Sequence, residues 1–190
     1  MERNERTSGL IVIVFVLLLL TVGCGDNRIN PASVTGPNTT TITMKDGDIA
    51  YLKKHNAING VTHRLKGPVI KVYDETGLAQ PYLNKWGRII GLTFVSGPKG
   101  SGLDILIDNS ILNCGLTNAI RGPIKVRTTS CDSPGIGTIL DHEIGHLVGF
   151  KGHTTDGGLM DISSPSDLIT APVASMLRLV YSYPDGTPVA

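Results

Sequence analysis

The sequence predicts an α+β fold: one twisted β-sheet with helices packed on it. Three observations carry that expectation. Short segments rich in β-branched residues recur between residues 68 and 129, and several alternate apolar with polar positions. Three longer stretches, 79–90, 137–150 and 171–182, repeat apolar residues at helical spacing. The order is strand, helix, three strands, helix, loop, helix, which describes a single layered domain.

Taken along the chain, residues 68–73 form the first strand by their Val, Ile and Tyr content, ended by Asp74, Glu75 and Gly77. Ala79, Leu83, Trp86 and Ile90 then make one face of an amphipathic helix. Leu92 to Val95 is a short strand stopped by Ser96-Gly97-Pro98. Leu103, Ile105 and Ile107 alternate with Asp104, Leu106 and Asp108, and Ile124, Val126 and Thr128 alternate with Lys125, Arg127 and Thr129. Both patterns give a strand with one buried face and a mostly polar second one. The second helix runs from Gly137 to Phe150. The third puts Val173, Leu177, Val180 and Tyr181 on one side, with Thr170 as N-cap.

Composition limits the partners. The chain has 190 residues, room for one ordinary domain, and a net charge of +1. Collagen, coiled coil, multi-span membrane protein and polybasic nucleic-acid binder are excluded, so no nucleic-acid partner is expected. The mean hydropathy of +0.11 is inflated by one apolar run, Leu10 to Leu20. A spanning helix needs about 20 such residues, whereas the apolar region of a secretory signal needs about 7–15. The run closes on Leu20-Thr21-Val22-Gly23-Cys24, which resembles the lipobox of bacterial lipoproteins, with Thr21 where that family usually has Leu. The resemblance implies a signal over residues 1–23 and a lipidated Cys24. The domain is then expected in the cell envelope, held to a membrane by its acyl chains and facing the periplasm or exterior. A plain secretory signal would leave it secreted. Residues 24–48 are Gly-, Pro-, Asn- and Thr-rich without periodicity and read as a flexible tether, with the functional domain over 49–190. Cys114 and Cys131 remain, either as a disulfide suited to an oxidising compartment or as two buried thiols.

The chemistry concentrates in His142-Glu143-Ile144-Gly145-His146, with His153 seven residues on. Positions i and i+4 share a helix face, so His142 and His146 can aim at one point. Glu143 borders that point without being a ligand. Two imidazoles and a third ligand leave zinc a fourth position for water, whose proton Glu143 can take as general base. Leu140, Ile144, Leu147 and Val148 bury the opposite face. Gly149 can end the helix in a left-handed conformation and return His153 to the metal, with Asp156 as the substitute oxygen ligand.

At this point the chain resembles the metzincin zinc endopeptidases, and among them the matrixin-like members, whose motif is HExxHxxGxxH followed by a Met in a tight turn. His142, Glu143, His146 and Gly149 match by position; Gly152 stands where the family has its third His, and His153 follows one residue later. Gly157 to Asp161 looks like the Met-turn, with Met160 beneath the ligands. Over residues 68–182 the resemblance implies a metzincin-like twisted mixed β-sheet with an active-site helix and a C-terminal helix. It also implies one catalytic Zn²⁺, and a Ca²⁺ site that Asp104 and Asp108 could join; solvent-facing strand acids are the alternative for those two. A thermolysin-like plan needs a Glu ligand downstream, and Glu143 is the last Glu in the chain. His55 and His63 read as surface residues.

The functional expectation is a zinc-dependent endopeptidase whose protein or peptide substrate lies as an extended strand along a sheet edge, with Cys114 to Gly122 as that edge. The alternatives are a non-catalytic zinc-binding envelope lipoprotein on the same fold and a zinc hydrolase of non-peptide amides.

Overall fold

Each strand and helix expected between residues 68 and 182 forms, and two further elements join them. The computed structural model describes residues 46–117, 122–131, 135–163 and 165–190. The helices are α1 (Asp46–His55), α2 (Gln80–Ile90), α3 (Ile136–Leu147) and α4 (Ala171–Ser182), and the strands are β1 (Val69–Asp74), β2 (Thr93–Ser96), β3 (Leu103–Ile107), β4 (Gly115–Thr117) and β5 (Ile124–Val126). The signal segment, Cys24 and the tether up to residue 45 lie outside the described residues. The tether's expected end does not hold, because α1 begins at Asp46, three residues inside it.

The five strands make one mixed sheet in the order β2-β1-β3-β5-β4. β1 pairs in parallel with both β2 and β3, β3 pairs in parallel with β5, and β4 alone is antiparallel. β2 ends opposite Val72 and β3 begins opposite it, so the chain steps across β1 without reversing. That arrangement leaves β4 as an edge beside α3.

Local chemistry explains the helices. Asp74 at the end of β1 accepts the Ala79 amide at 2.8 Å, Pro81 sits in the first turn of α2, and left-handed Gly91 closes it. Leu83, Trp86 and Ile90 of α2, Ile139, Leu140, Ile144 and Leu147 of α3, and Val173, Met176, Leu177 and Val180 of α4 share one core with Val72, Phe94, Ile105, Ile124 and Val126 of the sheet. Burial of each such aliphatic side chain contributes about 1.5–3 kcal/mol. β5 keeps the predicted alternation, with Ile124 and Val126 inward, whereas β3 keeps it at Leu103 and Ile105 but not at Ile107, which is exposed at the strand's end.

α1 packs on α4, and the segment after it is tied to the chain's end. The Thr62 amide donates to the Thr187 carbonyl at 2.9 Å, the Thr187 amide donates to the Thr62 hydroxyl at 3.1 Å, and the Val189 amide donates to Gly60 at 2.8 Å. Cys114 and Cys131 form a disulfide with Cα atoms 5.7 Å apart, joining the start of β4 to the segment that leads into α3. Among the described residues no helix is long and apolar enough to cross a membrane.

Candidate metal centre

The buried face of α3 turns His142 and His146 toward a cleft. The Nδ1 of His142 donates to the Leu159 carbonyl at 2.7 Å, and the Nδ1 of His146 donates to the Phe150 carbonyl at 2.7 Å. Carbonyls only accept, so each neutral ring carries its proton on Nδ1 and presents a bare Nε2. Burial lowers the pKa of both rings and favours that neutral form. The two Nε2 atoms stand 3.1 Å apart. Two lone pairs at that distance repel, and a cation between them removes the conflict.

His153 completes the group. Its ring stacks on His142 and meets His146 edge-on, with centroids 5.1 Å away in each case. One ligand atom from each of the three rings lies within 4.8 Å of the others, close enough to hold a metal ion. The extra residue before His153 is absorbed by a turn in which Gly149 (φ 112°) and Gly152 (φ 71°) both take positive φ. Asp156 does not serve as the substitute ligand. Its carboxylate accepts from the Thr154 hydroxyl at 2.7 Å, the Gly158 amide at 3.1 Å and the Thr170 hydroxyl at 2.7 Å, and so braces the following loop.

That loop is a tight turn as expected. The Asp161 carboxylate accepts the Gly157 and Ser163 amides, and the Thr154 amide donates to the Met160 carbonyl. Met160 is buried with its sulfur against Gly145, the residue before His146 in the helix, and Trp86 crowds the same glycine.

Glu143 is buried beneath β4. Its Oε2 accepts from the Thr117 hydroxyl at 2.5 Å, and its carboxylate lies so close over Gly115 that a Cβ there would collide with it. Burial raises the Glu143 pKa, opposed by the Thr117 hydrogen bond and the neighbouring histidines. A cleft of about 480 Å³ opens here, walled by Gly115 to Thr117 on one side and by Ile162 and Pro165 on the other. A second lobe of about 280 Å³ continues past His146 and His153 toward Ile58 and Phe150.

Several supporting residues carried no motif. Thr117 belongs to a three-residue strand too short to show a period. Asp141, next to the first histidine, is buried with Lys85 Nζ at 2.6 Å and the Trp86 indole N–H at 2.9 Å, which locks α2 to α3. Its burial pushes the carboxyl pKa up, and Lys85 opposes the shift. A charged residue on the apolar side of a helix was the available signal.

Other expectations resolve differently. Asp104 accepts the Gly100 amide, while Asp108 is bound by Ser110 and by Lys125 at 2.9 Å, which draw its pKa down to about 2. Neither joins a metal-capable group among the described residues, where the three histidines form the one such cluster. His55 is not a surface residue: it is 2% exposed, stacked on Phe150 at 4.6 Å, and bonded to the Lys151 carbonyl. His63 is half-buried, with Nε2 3.2 Å from the Ile58 carbonyl.

No protein-family model matches the chain, and no curated protein matches it. Among solved structures it is similar to a chain of the GM1-bound form of the ECX AB5 holotoxin, with a TM-score of 0.51 and 13% identity, over 73% of this chain and 91% of that one. At that identity the likeness is one of fold alone. Fold and site together define a mixed α/β protein with a three-histidine cluster able to hold a metal ion.

Proposed function

We propose that the chain is a zinc-dependent endopeptidase of metzincin type, anchored in a cell envelope through Cys24. The observation that carries this reading is the buried Glu143 carboxylate beside three convergent imidazoles at the floor of an open cleft. A purely structural metal site needs no general base. The donor set fits zinc: two nitrogens 2.0–2.1 Å from one tetrahedral ion stand about 3.3 Å apart, against the 3.1 Å seen between His142 and His146. Zinc held there supplies a charge that polarises the scissile carbonyl and acidifies a water.

The chain's own groups do the rest. Glu143 takes the proton of the attacking water and passes it to the leaving amine. Thr117 fixes one of its oxygens, so the carboxylate meets the water in one orientation. β4 is an edge strand that lines the cleft, and an extended substrate adds there as a further strand. His142 and His146 are held in the required tautomer by Leu159 and Phe150.

Purified protein is expected to carry about one zinc per chain, and Glu143→Ala to keep the metal while peptide cleavage is lost. A variant that cleaves as fast as wild type refutes the mechanism. Zinc uptake by a wild type that turns over nothing in a broad peptide library selects the non-catalytic metal-binding lipoprotein instead.

A further inference from the structure

The turn that carries the chain from His146 to His153 is held one carbonyl at a time. Four successive backbone carbonyls each receive a side-chain hydrogen bond. The Tyr181 hydroxyl donates to Val148 at 3.1 Å, Asn56 Nδ2 to Gly149 at 2.9 Å, His146 Nδ1 to Phe150 at 2.7 Å, and His55 Nδ1 to Lys151 at 2.9 Å. Two of the four donors are consecutive residues at the end of α1. The Lys151 amide also returns a bond to the His55 carbonyl at 2.6 Å, so Lys151 is gripped through both of its backbone groups.

Asn56 is fully buried and uses its whole amide: Nδ2 donates to Gly149 and to His63 at 2.7 Å, and Oδ1 accepts the His63 amide at 3.0 Å. Gly149 leaves just the space this amide fills, since a Cβ there would stand 3.0 Å from Asn56 Nδ2 and from the His63 carbonyl. The His55 ring lies between Tyr51, at 4.5 Å, and Phe150, at 4.6 Å. Helix α1 therefore determines where the backbone points as it leaves Lys151. Two residues later that backbone delivers a ring with little burial of its own, because His153 is exposed. Beyond its ring contacts with His142 and His146, this exposed ring on a glycine-rich turn has little packing to hold it, and its position is inherited from the turn.

We propose that His55 and Asn56 are positioning residues of the metal centre, which place His153 through the backbone of Gly149 to Lys151. The inference rests on reading His142, His146 and His153 as metal ligands, and it is independent of whether the protein cleaves peptides. Outer partners of metal ligands typically change affinity by about 10–100-fold when removed.

The test measures zinc affinity by chelator competition on His55→Phe, which keeps a stacked ring and loses the donor, and on Asn56→Ala. Phe94→Leu, a buried position of β2 away from the site, controls for general destabilisation, and urea unfolding of each metal-free protein confirms that it is folded. His55→Phe and Asn56→Ala are expected to bind zinc about tenfold more weakly, and Phe94→Leu within about twofold of wild type. Affinities for both α1 variants within about twofold of wild type overturn the proposal. Should neither variant fold, hydrogen exchange on wild type decides: zinc should slow exchange of the Asn56 and Lys151 amides more than that of α2 amides, and equal slowing overturns the proposal. A wild type that takes up no zinc overturns the metal-centre reading itself.

Discussion

Replacing Gly145 by alanine sets helix propensity against packing, and the two predict opposite signs. Gly145 lies inside α3, where Ala is better than Gly by about 1 kcal/mol. Propensity alone therefore predicts a more stable protein. The new Cβ would stand 2.9 Å from Trp86 Cζ2 and collide with the Met160 sulfur. Trp86 has nowhere to go: it is fully buried, and its indole N–H is bonded to both the carbonyl and the carboxylate of Asp141. Met160 is equally buried. Overpacking costs about 1–3 kcal/mol, and although the flexible end of Met160 can give, the Trp86 wall cannot, which places this case in the upper part of that range. The net expectation is a loss of about 1–2 kcal/mol once the propensity gain is set against it. Urea unfolding of the metal-free protein reads the change as a lower midpoint at constant slope. Gly47→Ala in α1, where a Cβ meets nothing within 4 Å, is the matched control and should gain about 0.4–1 kcal/mol. A Gly145→Ala protein as stable as wild type, or more so, refutes the packing argument.

Two further outcomes follow from the same region. Burial holds the Glu143 carboxyl above its ordinary value of 4.5, so its stabilising contribution is fully present below that pH and is lost as pH rises through the folded pKa. Metal-free Glu143→Gln should therefore melt higher than wild type at pH 7, with the gap closing as pH falls toward 4.5; a gap independent of pH contradicts the assignment. Removing the disulfide by Cys114→Ala with Cys131→Ala opens a loop with a sequence separation of 17 and should cost about 3 kcal/mol in urea unfolding. A loss below about 1 kcal/mol means that the reduced, unfolded chain is already restricted there.

What was legible in the sequence was whatever repeats or is chemically rare. Spacing exposed α2, α3 and α4, because each buries one continuous apolar stripe. The paired histidines and Glu143 stood out because one helix turn brings them together, and His153 could be joined to them only through glycines that tolerate an unusual turn. α1 escaped because Asp46–His55 has a weak stripe, and Phe150 and Lys151, which stack on and bond to His55, lie far along the chain. β4 escaped because three residues show no period. The parallel pairing of β1 with both β2 and β3 is a long-range choice that alternation cannot encode. Least visible were the hydrogen bonds from Asn56, His55 and Tyr181, since their acceptors are backbone carbonyls and leave no trace in side-chain patterns.

The sequence distances in that network bear on when the site comes into being. His55 and Lys151 are 96 residues apart, Asn56 and Gly149 are 93, and Thr62 meets Thr187 across 125. Contacts of that span form late, because the chain between them must lose its freedom before any of them can contribute. A chain that has not yet made these contacts carries the histidines but no socket for them. On the reading of the three histidines as metal ligands, tight capture therefore waits until the segment around Thr187 has docked beside Thr62.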